Sequence, residues 1–168
     1  MSHAAPPAAV DTGAAVFVVS DAITFVALLA ASAVLQKHEV SGGEVASTTQ
    51  LVTLSGLLFA GSAMLVVAQR ASSRIAYLAT ALSALAFVLG EAREWKLLVA
   101  AGQGPAIDLR HGSLFVITGL HALHVFIGAL VALSLALRTE RGRAGRVLGW
   151  YWLALDLAWV GIVFVVYR

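Results

Sequence analysis

The sequence contains no cysteine. That absence excludes thiolate ligation, iron–sulfur clusters, disulfides and a cysteine-bridged copper pair. Charge is scarce too: Asp, Glu, Lys and Arg make up 12% of the 168 residues, against the ~25% of a typical soluble domain. A basic face is also missing. The eleven Lys and Arg lie between apolar runs, and the formal net charge is only +2, which argues against nucleic acid as a partner. Met1 to Gly13 carries no Lys or Arg, so it lacks the basic start of a secretory signal, and the first helix is expected to be retained. No glycine-rich stretch matches a P-loop or a dinucleotide fingerprint, and no internal repeat is evident.

What the chain does have is apolar length. Hydrophobic residues make up 60% of it, and the mean hydropathy is +0.90. About 20 mostly apolar residues cross a hydrocarbon core of ~30 Å. Five segments meet that requirement, so the spacing predicts an all-α membrane protein: a short tail over residues 1–13, then one domain over 14–168 built as a five-helix bundle. The predicted spans are Ala14–Gln36, Gln50–Gln69, Ile75–Trp95, Ser113–Leu137 and Val147–Tyr167. Between the first two lies the polar turn Lys37–Glu44, stopped by Gly42 and Gly43. Lys and Arg favour the cytoplasmic side. An internal N-terminus places Arg70, Arg74, Arg138, Arg141, Arg143 and Arg146 inside, four of them in one short loop, against Lys37, Arg93, Lys96, Arg110 and Arg168 outside. The expected topology is therefore a cytoplasmic N-terminus and an external C-terminus.

An ionisable group at membrane depth costs roughly 2.5–3.5 kcal/mol on insertion scales, so it needs a partner or a purpose. Asp21 falls about two turns into the first span and Asp156 about two turns into the fifth. Each reads either as a proton-exchangeable carboxyl or as a hydrogen-bond acceptor between helices. Composition alone favours the acceptor, with Trp152, Tyr151 or Trp159 as donors for Asp156. His121 and His124 stand three residues apart and share a helix face. Two His one turn apart on one helix cannot supply both axial ligands of a haem, so interhelical hydrogen bonding is the expected role. The Glu91, Arg93, Glu94, Lys96 cluster reads as a solvated helix end. Trp95, Trp150, Tyr151 and Tyr167 read as interfacial belts. Gly112, Gly119 and Gly128, with Ala122, mark the fourth span as the centre of the bundle, since small residues let helices approach closely in lipid.

The segment from His111-Gly112-Ser113 through Phe115 to Thr118-Gly119-Leu120-His121-Ala122-Leu123-His124-Val125 resembles subunit III of the haem–copper oxidases. That family shows Gly-Ser, a Phe, then Thr-Gly-x-His-Gly-x-His-Val and a later Gly, matched here by Gly128. Other segments follow in the family's order. Ser20-Asp21 with Phe25 is similar to its Ser-Glu pair, and Glu91-Ala92-Arg93-Glu94-Trp95 to its Gln-x-x-Glu-aromatic ending. Tyr151-Trp152, Asp156, Trp159, Phe164 and Tyr167 resemble its terminal helix. The departures are Asp21 for Glu, Glu91 for Gln, Ala122 for Gly and Leu153 for His.

The resemblance covers about Gly13 to Tyr167 and implies the five-helix bacterial form, lacking the first two helices of the seven-helix form. It also implies an accessory subunit of a proton-pumping terminal oxidase in the bacterial inner membrane. Such a subunit holds no haem or copper itself; those belong to the catalytic partner. It packs on catalytic subunit I and subunit II, binds phospholipid and supports proton uptake. Two alternatives stay open: an accessory membrane protein of nitric oxide reduction, and a small b-type cytochrome or quinone-binding anchor using His121 or His124.

Overall fold

A computed structural model describes residues 7–36, 48–139 and 141–167, with side chains from residue 12 onward. The predicted turn Lys37–Glu44 lies outside the described residues. Five helices follow in order: α1 Pro7–Gln36, α2 Thr48–Ala71, α3 Arg74–Ala100, α4 Leu109–Leu137 and α5 Gly142–Val165. Each is long and apolar enough to cross a membrane.

The helices are longer than hydropathy suggests, because polar residues at their ends remain helical. α1 begins at Pro7, inside the stretch read as a tail, where proline's missing N–H costs nothing in the first turn. α3 continues five residues past Trp95 and ends where Gly102 adopts φ +77°, a left-handed conformation that glycine enters without strain. Asp108 then caps α4, its Oδ1 accepting from the His111 N–H at 2.7 Å and lying 2.8 Å from His111 Nδ1. The His111 N–H bond, despite partial desolvation, holds the Asp108 carboxyl below its ordinary range. α5 starts at Gly142, so Arg143 and Arg146 belong to its first turns rather than to a loop.

α2, α3 and α4 pack successively, and α5 closes against α2 and α4. α1 lies outside this group, packed on α4 and α5 and touching neither α2 nor α3 among the described residues. At one end, Arg141 joins two connections: its Nε donates to the Leu135 carbonyl at 2.7 Å and its Nη1 to the Ser72 carbonyl at 3.0 Å. This is the arginine end of the bundle. The opposite end holds the Asp108 cap and the last turns of α3.

Side-chain hydroxyls stitch the interfaces. Between α2 and α3, Ser83 Oγ donates to the Leu57 carbonyl at 2.6 Å and Thr80 Oγ1 to the Gly61 carbonyl at 3.2 Å. Such bonds fix helix register where lipid supplies no hydrophobic drive for association.

Candidate functional site

α4 is the hub, and its motif residues turn to different neighbours. Ser113 Oγ lies 3.2 Å from Ser32 Oγ on α1. Thr118 Oγ1 accepts from Trp95 Nε1 of α3 at 3.1 Å. A Cβ on Gly128 would stand 3.1 Å from the Trp152 ring of α5, tighter than ordinary packing. Gly119 faces Trp95 at an ordinary 3.7 Å, and Gly112 lies 3.1 Å from the Pro105 carbonyl on the same measure. Of the three glycines expected to pack, Gly128 is thus the one pressed between helices.

Asp21 and His124 meet between α1 and α4, Oδ1 to Nε2 at 2.9 Å, with 10% and 14% of their side chains exposed. His124 Nδ1 lies 2.7 Å from the Leu120 carbonyl. A carbonyl cannot donate, so Nδ1 carries a hydrogen. The short Nε2–Oδ1 contact then needs one more proton, held either by the carboxyl or by the imidazole. Both arrangements leave the pair neutral overall. Asp21 and His124 therefore form a hydrogen-bonded joint between α1 and α4. Tyr151 of α5 fixes this turn of α4 by donating its hydroxyl to the His124 carbonyl at 2.9 Å.

His121 departs from the expectation. It is fully buried, and neither ring nitrogen has a hydrogen-bond partner among the described residues. It stacks on Trp159 at 5.4 Å and meets Phe25 and Phe87 edge-on at 5.9 and 5.7 Å. The reason is helical phase. The two His do share Phe25, which lies 5.5 Å from His124, but α1 brings a carboxylate to one ring and only an aromatic edge to the other.

Asp156 is not brought to Asp21. Its Oδ2 accepts from Ser62 Oγ of α2 at 2.7 Å, so none of the expected aromatic donors serves it. Trp159 Nε1 donates instead to Ser55 Oγ at 2.9 Å, and Gln69 Nε2 to the Gly145 carbonyl at 2.8 Å. Ser55, Ser62 and Gln69 are spaced seven apart, which puts them on one stripe of α2 facing an antiparallel α5. That heptad of polar residues was the available signal for these unforeseen contacts.

Glu91 and Glu94 overturn the reading of a solvated helix end: they are 1% and 2% exposed. Because α3 runs on to Ala100, residues 91, 94 and 98 face inward while Arg93 and Lys96 face outward. Tyr167 Oη donates to Glu91 Oε1 at 3.2 Å. The other three carboxylate oxygens of the two residues have no hydrogen-bond partner among the described residues. Burial, with the nearby carboxylates, holds the Tyr167 hydroxyl above the ordinary phenol range, so it remains a donor. Of the four expected belt aromatics only Trp150 lies on the surface, at 69% exposed; Tyr151, Trp95 and Tyr167 hydrogen-bond inward.

The described residues contain no group of three or more His, Cys, Asp or Glu able to hold a metal ion. No protein-family model matches the chain. Curated relatives do. The chain is 30% identical over 169 residues to the cytochrome bo(3) ubiquinol oxidase subunit 3 of Pseudomonas aeruginosa, covering 90% of this chain and 80% of that protein. It is 32% identical over 88 residues to the cytochrome c oxidase subunit 3 of Corynebacterium diphtheriae, covering 48% of this chain and 43% of the relative. A third relative, the heme-copper oxidase subunit I+III of Aeropyrum pernix, is 30% identical over 126 residues, 66% of this chain and 15% of that one. The chain spans about half the length of several of the curated relatives it matches. Similarity across nearly its whole length, on a five-helix bundle whose α4 motif residues join the other helices, establishes that the chain belongs to the subunit III family of the haem–copper oxidases.

Proposed function

We propose that this chain is the accessory subunit of a proton-pumping haem–copper terminal oxidase in a bacterial inner membrane. It packs on catalytic subunit I and subunit II, holds phospholipid, and supports proton uptake from the arginine end, which faces the cytoplasm. The observation that carries the reading is the similarity to a ubiquinol oxidase subunit 3 over 90% of the chain. The Aeropyrum relative, whose name joins subunits I and III, supports a catalytic subunit as neighbour. Haem and copper then belong to that partner. A haem-anchor reading finds little support, because both His124 nitrogens are engaged and the His121 ring is enclosed by aromatics.

Purification in mild detergent tests the assignment: oxidase subunits I and II should accompany the chain, and the chain alone should show no Soret band. Co-purification with a nitric oxide reductase would move the assignment to that complex. A stoichiometric haem lost on His121→Ala would overturn the accessory role.

The proton role has a sharper test, because Asn at position 21 can donate its amide N–H to His124 Nε2 and keep the joint while removing the exchangeable proton. The initial oxygen-reduction rate of Asp21→Asn should match wild type. Sustained turnover at pH 8.5, where protons are scarce, should fall, with little loss at pH 6.5. Identical profiles at both pH values would leave Asp21 as a packing residue only.

A further inference from the structure

The outer face of α5 carries one more feature. Arg146, Trp150, Leu153 and Leu157 recur at i, i+4, i+7 and i+11, which makes them a single ridge along the helix. All four are exposed. Grooves run down both flanks of this ridge. On the α2 side a groove of about 390 Å³ is floored by Leu65 and Gly149 and reaches Asp156. On the α1 side two adjoining hollows of about 360 and 340 Å³ share Val18, Val19 and Trp150, and continue past Ala22 and Ala154 to Leu157. Arg146 stands at the mouth on both sides, and Trp150 lines all three hollows.

Three properties of this surface converge on one ligand chemistry. First, Arg146 makes no hydrogen bond or ion pair with any described residue, whereas the nearby Arg141 is held inward by the Leu135 and Ser72 carbonyls. A free guanidinium in the first turns of a spanning helix sits at headgroup depth and presents a planar fork suited to a phosphate. Second, the eleven residue steps from Arg146 to Leu157 rise about 16 Å, close to the ~15 Å of one leaflet's hydrocarbon. Third, the α1 flank is lined by apolar side chains, the α2 flank by Leu65, Val66, Trp152 and Leu153 with Ser62, Gln69 and Asp156 among them, and the two meet under a single cation. Two channels of leaflet depth, one apolar and one mainly apolar, that converge on one positive charge match a lipid with two acyl chains and an anionic headgroup.

We propose that the α5 ridge is a binding site for one anionic diacyl phospholipid of the leaflet facing the arginine end. Its phosphate is held by Arg146, one chain lies between α5 and α2 and the other between α5 and α1. Trp150 divides the chains below the headgroup. Small residues make the channels: Gly149 on the α2 side, Ala22 and Ala154 on the α1 side. The lipid then links α1 to α2, two helices that do not touch each other among the described residues.

The test uses the full chain in its native complex, extracted in mild detergent and partially delipidated. Dioleoyl phosphatidylglycerol or dioleoyl phosphatidylcholine is then added, and bound lipid is counted by native mass spectrometry. Wild type should retain phosphatidylglycerol at least tenfold better than phosphatidylcholine. Arg146→Gln should abolish that preference, Arg146→Lys should keep most of it, and Arg138→Gln should leave it intact. Ala154→Trp, which fills the α1-side channel, should weaken retention of both lipids while the guanidinium is still present. Equal loss in Arg138→Gln would assign the effect to diffuse loop charge and overturn the site. Equal retention of both lipids by wild type would do the same. So would a photoreactive phenylalanine analogue in place of Trp150 that captures a protein subunit instead of lipid.

Discussion

The Asp21–His124 joint and the Glu91–Glu94 cluster are both carboxylate centres inside a membrane bundle, and they are built in opposite ways. Asp21 is the more exposed carboxylate, yet its bonding oxygen and both nitrogens of its histidine are engaged. Glu91 and Glu94 are nearly sealed, yet three of their four oxygens find no partner among the described residues. The first centre joins α1 to α4, so removing a partner should loosen the bundle. The second is closed over by Tyr167, just past the end of α5, through a single hydroxyl, and burial there exceeds compensation. An unsatisfied buried polar group costs roughly 1–3 kcal/mol, which makes the second centre a reservoir of instability.

The largest effect should come from behind the first centre. Gly128 lies one turn beyond His124 and against Trp152, so Gly128→Leu must displace an indole and should cost about 3 kcal/mol by overpacking. Gly119→Leu, with ordinary clearance, should cost less than half of that. Unfolding in mixed detergent–SDS micelles would rank them, and the reverse order would mean that α4 is not pressed on α5. Next in size, Asp21→Leu should lose about 2 kcal/mol in the same assay, combining a lost interhelical bond with a histidine left unpartnered. No change would mean that Phe25 and Ser32 hold α1 unaided.

The second centre should respond with the opposite sign. Glu94→Gln replaces an uncompensated carboxylate with a neutral amide and should gain about 1 kcal/mol. A loss of stability would show that Glu94 is satisfied, and the contrast between the centres would collapse. The smallest effect belongs to a surface carboxylate that serves as a control for both. Because folding depresses the Asp108 carboxyl below 3.8, its cap contributes fully above that value and is lost as pH falls through the depressed one. The contribution is about 0.5 kcal/mol, at the low end for a cap because the group is partly exposed. The protection factors of the first-turn amides of α4, which correct for the intrinsic pH dependence of exchange, should stay flat between pH 5 and 7 and fall once pH drops through the lowered carboxyl pKa.

Hydropathy located all five helices, and the α4 motif pointed to the hub, because both are properties of single segments. The Glu91–Glu94 cluster was hidden for a different reason. Four charges within six residues look like a solvated end until helical phase separates the two carboxylates from the two cations. Partner choice was less legible still. Asp156 takes Ser62 from α2 rather than an aromatic of its own helix, and His121 takes rings while His124 takes Asp21. Those outcomes depend on which neighbour each face meets, and segment-by-segment reading carries no information about that. The aromatic belts failed likewise: a Trp or Tyr near a helix end is interfacial only if no polar group inside the bundle claims its N–H or O–H.

The placement of α1 has a consequence for biogenesis. It is synthesised before the other four helices, but the surfaces it docks on belong to α4 and α5, and α4 begins roughly 70 residues after α1 ends. At ~5–20 residues per second, α1 spends several seconds in the membrane before its binding face exists. During that time α2, α3 and α4 can assemble as sequential neighbours, so the earliest of these five helices becomes one of the last to be fixed. Until then Asp21 waits in lipid without its histidine, at an insertion cost of roughly 2.5–3.5 kcal/mol for a charged carboxylate. A nascent chain truncated before His124 should therefore be a better substrate for membrane quality-control proteases than one truncated after α5.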